Sequence, residues 1–212
     1  VGTDALLAFL ALTDLLVLGA GRTRFGLRVT ALQGIVLGIL TPVAAGSLGP
    51  RVVALAATGI LTKGILIPWL LARGLVETTT GRREMPPYVG YAASLLFGFG
   101  GLALSFWIGG RLRLPDPVFS PLAVPLSFFT IFTGLFIIIT RRTALTQVQG
   151  YLILENGVYA FGVAVSQEVP LAVELGILLD IFAGVFLMGI IIFHISREFD
   201  HVDTHRLSDL RE

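Results

Sequence analysis

Five ionisable side chains stand inside long apolar runs of this 212-residue chain: Asp14, Lys63, Glu155, Glu174 and Asp180. A charge at the centre of a bilayer costs about 2.5–3.5 kcal/mol on insertion scales, so such a group usually faces protein or water and has a task. Carboxylates and an amine held together out of water suit the acceptance and release of protons. Lys63 is the only lysine, and arginine takes every other basic position. A desolvated ammonium beside a carboxylate can give up its proton, whereas a guanidinium does not. Pro68 follows on the same run, and its missing N–H leaves the Gly64 carbonyl without a helical partner, a polar spot beside Lys63. Asn156, the only asparagine, could hydrogen-bond a carboxylate or a water. The competing reading for all five is a salt bridge that merely locks helices together. It is favoured for Asp14, on a short first helix, and stands even with proton transfer for Glu174. Glu155 and Asp180 read as proton carriers, with Lys63 the basic partner that tunes or relays between them.

The elements that must hold these groups are membrane spans. The chain is 55% hydrophobic and 14% charged, with a mean hydropathy of +0.87, whereas an ordinary soluble domain carries about 25% charged residues. Runs long enough for a helical span, about 20 mostly apolar residues, occur at roughly 3–20, 26–47, 51–72, 88–109, 118–140, 146–168 and 170–195. They lack the alternation of transmembrane strands, so the expectation is an all-α integral membrane protein of about seven helices. Pro121 and Pro125 could break the fifth.

Basic residues set the orientation. With the N-terminus outside and the C-terminus inside, eleven arginines fall on inner segments, at 22, 24, 28, 73, 82, 83, 141, 142, 197, 206 and 211. Three, Arg51, Arg111 and Arg113, fall outside. In that threading Asp14, Lys63, Glu155 and Asp180 lie about 10 to 13 residues from the outer ends of their spans, roughly 15–20 Å deep at 1.5 Å per residue. That is near the middle of a hydrocarbon core of about 30 Å, and a common depth on different helices is what a lateral relay needs.

An internal similarity adds a plan. Gln33-Gly34 matches Gln149-Gly150, and Gly59-Ile60-Leu61-Thr62-Lys63 matches Gly176-Ile177-Leu178-Leu179-Asp180, in nearly one register. Four spans separate the copies, so they point the same way, a parallel repeat of the kind found in transporters. The expected organisation is a 3+1+3 repeat. Residues 1–87 form the first three-helix unit with its inner loop, and 88–117 a linker helix and outer loop. Residues 118–195 form the second unit, and 196–212 an inner-surface tail.

The remaining signals exclude more than they propose. No cysteine is present, which removes disulfides, haem thiolates and iron–sulfur ligation. No phosphate loop, nucleophile elbow or metal motif occurs, and a net charge of +1 gives no nucleic-acid signal. His201 and His205 sit at helical spacing, but in a charged tail that reads as a solvated surface. Trp69 and Trp107 stand near span ends as interface anchors, and the glycine-rich LLFGFGGLAL reads as close helix packing.

The stretch GYLILENGVYAFG, then PLAVELGILLDIFAGVFLMGIIIFHISREFD and the tail VDTHRLSDLRE, resembles hydrogenase-4 component E, a membrane subunit of energy-converting [NiFe] hydrogenase and formate hydrogenlyase-like complexes. The C-terminal part is also similar to the K subunit of complex I and the C subunit of Mrp antiporters. The resemblance implies two proton-transferring carboxylates on consecutive helices. Leu152-Ile153-Leu154-Glu155 fits the first position. Asp180 fits the second, with Glu174 as competitor and aspartate a departure from the glutamate pattern. It implies a non-redox subunit, not catalytic alone, of an oxidoreductase complex in a prokaryotic inner membrane. Its partners would be antiporter-like and complex I H-subunit-like membrane subunits and the bilayer, not nucleic acid. No cofactor or metal is expected in this chain. The alternatives are a stand-alone small-solute or cation/proton carrier on the same 3+1+3 plan, or a purely structural subunit.

Overall fold

Every regular element of the protein, seen in a computed structural model that describes residues 2–46, 49–78, 87–112 and 120–165 together with Gly176, Leu178, Phe182, Gly184 and Gly189, is helical. In chain order these are α1 (Gly2–Gly19), α2 (Thr23–Ala45), α3 (Pro50–Gly59), a π-helical segment (Ile60–Leu66), α4 (Ile67–Thr78), α5 (Tyr91–Arg111), α6 (Ala123–Thr140) and α7 (Ala144–Val165). The expected span 51–72 is thus a single rod, Pro50–Arg73, whose middle departs from the α register. Five helices are long and apolar enough to cross a membrane: α1, α2, the Pro50–Arg73 rod, α5 and α6. Helix α7 has the length, but Gln147, Gln149, Glu155 and Asn156 make it less apolar. The seventh expected span, at 170–195, lies outside the described residues except for the five isolated positions.

The distribution of side chains is that of a protein in lipid. Leu12, Leu16, Leu61, Ile65, Leu96, Phe99 and Ile139 point outward, while Asp14, Gln33, Lys63, Glu155 and Asn156 are buried. A soluble protein rarely exposes so continuous an apolar surface. The chain is a multi-pass membrane protein.

Prolines and glycines mark where helices begin and meet. Pro50 opens α3 at its first turn, where a missing N–H costs nothing. Pro125 does not break the fifth span as the sequence suggested: it sits in the first turn of α6, which begins at Ala123. The ring occupies a position whose amide has no intrahelical partner anyway. Gly46 ends α2 with φ 60°, a left-handed turn that glycine adopts without strain. Helices α6 and α7 approach closest, because a Cβ on Gly134, Gly150 or Gly157 would run into facing backbone atoms. The glycine-rich stretch of α5 contributes less than expected. Gly98 closes on Leu15 and Leu18 of α1, but Gly100 faces nothing within 4 Å.

Candidate functional site

The π segment that carries Lys63 has a local cause. A proline ring clashes with the carbonyl four residues back in an α-helix, and for Pro68 that carbonyl is Gly64. Widening the preceding turn relieves the clash. At the exit of the segment the Ile67 N–H bonds to the Thr62 carbonyl, five residues back rather than four. Single π turns inside α-helices recur at functional positions because they re-aim side chains. Here the turn sits against α2 at Gly34, where a Cβ would come 2.7 Å from the Lys63 backbone.

From this turn Lys63 reaches α7. Its Nζ lies 2.5 Å from Glu155 Oε1, with the lysine side chain 7% and the glutamate 1% exposed. Tyr159, one turn beyond Glu155, places its ring 5.6 Å from the same ammonium, within cation–π range. The Tyr159 hydroxyl shares a hydrogen bond with Thr41 of α2. A Cβ on Gly176 would run into the Tyr159 ring. Among the described residues this is the one ion pair sealed inside the helices.

A second buried polar group lies on the α1 side. Asp14 is fully buried. Its Oδ1 accepts from Gln33 Nε2 at 2.8 Å, and its Oδ2 accepts from Thr130 Oγ1 at 2.7 Å. Gln33 Nε2 also donates to Thr13 Oγ1 at 2.9 Å. Gln33 Oε1 faces Asn156 Nδ2 at 3.5 Å, long for a hydrogen bond. Asn156 is the immediate neighbour of Glu155. The buried polar side chains therefore run across four packed elements, from Asp14 through Gln33 to Asn156 and Glu155, ending at Lys63.

Of the expected site residues, Lys63 and Glu155 meet directly and Asp14 joins their vicinity through amides. Asp180 and Glu174 lie outside the described residues. The locking salt bridge favoured for Asp14 from the sequence is not what surrounds it: its hydrogen-bond partners among the described residues are neutral. Gln33, Thr13, Thr130, Tyr159 and Thr41 were not singled out as site residues. Hydroxyls in apolar helices commonly bond their own i−4 carbonyl, as Thr130 and Thr41 do, so their presence alone signals no cross-helix contact. Gln33 drew notice only as part of the repeat. A glutamine within an apolar run, at the depth of a charge, was the available clue.

Residues 122–212 match the family model described as NADH-ubiquinone/plastoquinone oxidoreductase chain 4L. Glu155, Asn156 and Thr130 fall inside that match, whereas Asp14, Gln33 and Lys63 precede it. The chain is 35% identical over 162 residues to Uncharacterized protein Rv0085 of Mycobacterium tuberculosis, covering 75% of this chain and 74% of the relative. It is 26% identical over 211 residues to Hydrogenase-4 component E of Escherichia coli K12, covering 97% and 95%, and equally similar to that of Shigella flexneri. No solved structure matches. Similarity that runs nearly end to end with component E, over a C-terminal part matching chain 4L, places this protein in the hydrogenase-4 component E family.

Proposed function

We propose that the chain is a non-redox membrane subunit of an energy-converting, hydrogenase-like assembly related to complex I, and that it takes part in proton translocation. The observation that carries the reading is the sealed Lys63–Glu155 pair. A buried ion pair is weak as a stabilising device, because desolvating both charges offsets most of their attraction. A pair on a π turn, with a tyrosine against it and a second buried carboxylate beyond Asn156 and Gln33, is better suited to changing its protonation state.

In this reading a proton arriving at Glu155 forms a carboxyl O–H bond and removes the counter-charge of Lys63. The ammonium, having lost that counter-charge in an apolar interior, is driven towards another carboxylate or releases its proton. Asp180 is the proposed second carboxylate, with Glu174 its competitor. Gly176, four positions before Asp180 in sequence, lies against Tyr159 beside the pair, which supports a next helix close to Lys63. Antiporter-like and H-subunit-like membrane partners, in a prokaryotic inner membrane, would carry protons to and from this relay.

The test is Glu155→Gln in the complete complex reconstituted into liposomes, measuring protons moved per electron transferred. The variant is expected to assemble and to transfer electrons while proton movement falls to background. Normal proton movement in an assembled Glu155→Gln complex would falsify the assignment and favour a purely structural subunit.

A further inference from the structure

Asp14 differs from Glu155 in how its charge is managed. Glu155 has an ammonium against it; Asp14, equally buried, has a glutamine and a threonine. No other charged side chain contacts Asp14 from α2, α5, α6 or α7 among the described residues, so nothing there serves as the counter-ion of a lock.

Its partners can serve either protonation state. The Thr130 hydroxyl lies 2.7 Å from Asp14 Oδ2 and 3.0 Å from the Leu126 carbonyl. When Asp14 is ionised, the hydroxyl donates to the carboxylate. When Asp14 is protonated, its O–H can donate to Thr130, whose hydroxyl turns to Leu126. Both states are satisfied without moving a helix, so neither carries the penalty of an unpaired buried polar group. Gln33 donates to the carboxylate in the first state and retains Thr13 as an acceptor in the second.

We propose that Asp14 is a second proton-holding site, added by the half of the chain that precedes the chain 4L match, and that it exchanges a proton with Glu155. This deepens the function proposed above and rests on it. The exchange balances: protonated Glu155 and ionised Asp14 become ionised Glu155 and protonated Asp14. One carboxyl O–H bond breaks and one forms, and the total charge is unchanged. In the product state the negative charge sits against Lys63; in the reactant state it is held by Gln33 and Thr130. Transfer runs through water bridging the span from Asp14 past Gln33 and Asn156. The occupancy of each site therefore alters the proton affinity of the other, reciprocally.

The test is infrared difference spectroscopy during turnover of the full complex in liposomes, wild type against Asp14→Asn and Glu155→Gln, with proton movement per electron read in parallel. Asparagine keeps one oxygen to accept from Gln33 and offers an N–H to Thr130, whose hydroxyl can turn to Leu126, and it cannot titrate. A protonated-carboxyl band that changes with turnover, and is absent from Asp14→Asn, is expected, together with a several-fold fall in proton movement. Identical spectra, or normal proton movement in Asp14→Asn, overturn the proposal. If Asp14→Asn does not assemble, Thr130→Val decides. It removes the hydroxyl that stabilises the ionised state and should leave the Asp14 band present but static; a band that still changes as in wild type overturns the proposal. The outcomes separate the two readings. Normal pumping in Glu155→Gln removes the relay through Glu155, whereas a turnover-dependent Asp14 band that persists in Glu155→Gln shows that Asp14 takes up and releases a proton without Glu155 and overturns only the exchange between them.

Discussion

At the scale of single residues, the sequence showed which groups were out of place but not which of them would touch. Lys63, Glu155 and Asp14 were legible because a charge in an apolar run is a departure that composition makes visible. That Lys63 meets Glu155, and not Asp14, follows from helix rotation and from a turn of non-standard width, which no residue count reports. The pairing predicts a characteristic mutational pattern. Removing one partner of a buried pair leaves an uncompensated charge and typically costs about 3–5 kcal/mol, while replacing both by neutral groups costs far less. Lys63→Met should therefore destabilise the subunit more than the Lys63→Met/Glu155→Gln double variant. The measurement is the temperature at which each purified complex loses its assembly. A double variant less stable than Lys63→Met would show that the two side chains do not compensate each other.

At the scale of elements, the helix limits could be read within a few residues, because apolar length dictates them. The interior of the third span could not. Pro68 was read as freeing one carbonyl in an otherwise regular helix, yet the chain widens the whole turn from Ile60 to Leu66. The physical reason is that shifting several bonds by one residue relieves the ring clash without leaving the Gly64 carbonyl crowded. Restoring the amide tests this. Pro68→Ala permits the α register, and withdrawing the extra residue rotates the two ends of the rod relative to one another by about 100°. Lys63 would then swing off Glu155 although every charge remains in the chain. Assembly should persist and proton movement per electron should fall several-fold, approaching the Glu155→Gln result. Proton movement equal to wild type in Pro68→Ala would show that the proline does not set the direction of Lys63.

For the whole molecule, the arginines give the clearest account of how the helices are arranged end to end. Arg141 donates to the Leu18 carbonyl and stacks on Tyr91, and Arg142 stacks on Tyr88. The Tyr91 hydroxyl reaches the Gly21 carbonyl beside Arg22 and Arg24. Leu27, Leu71 and Leu145 share one apolar cluster, which brings Arg28 and Arg73 to the same end. At the opposite end Ser120 bonds Asp4, and Arg111 stacks on Trp107. Among the described residues the basic side chains thus gather at one end of the helices, Arg22, Arg24, Arg28, Arg73, Arg141 and Arg142, with Arg51 and Arg111 at the other. What polarity alone leaves open is which end faces the cytoplasm; the tendency of arginine-rich loops to stay on that side predicts that the Arg22–Arg28 end faces it. The chain lacks cysteine, so single introduced thiols report without background. Arg24→Cys and Arg111→Cys, both exposed, would be labelled with a membrane-impermeant maleimide in intact cells and in inverted vesicles. Arg111→Cys should react in cells and Arg24→Cys only in vesicles. The reverse pattern would turn the molecule over, and with it the direction in which a proton passing between Asp14 and Glu155 approaches the two surfaces; labelling of both from one side would overturn the threading itself.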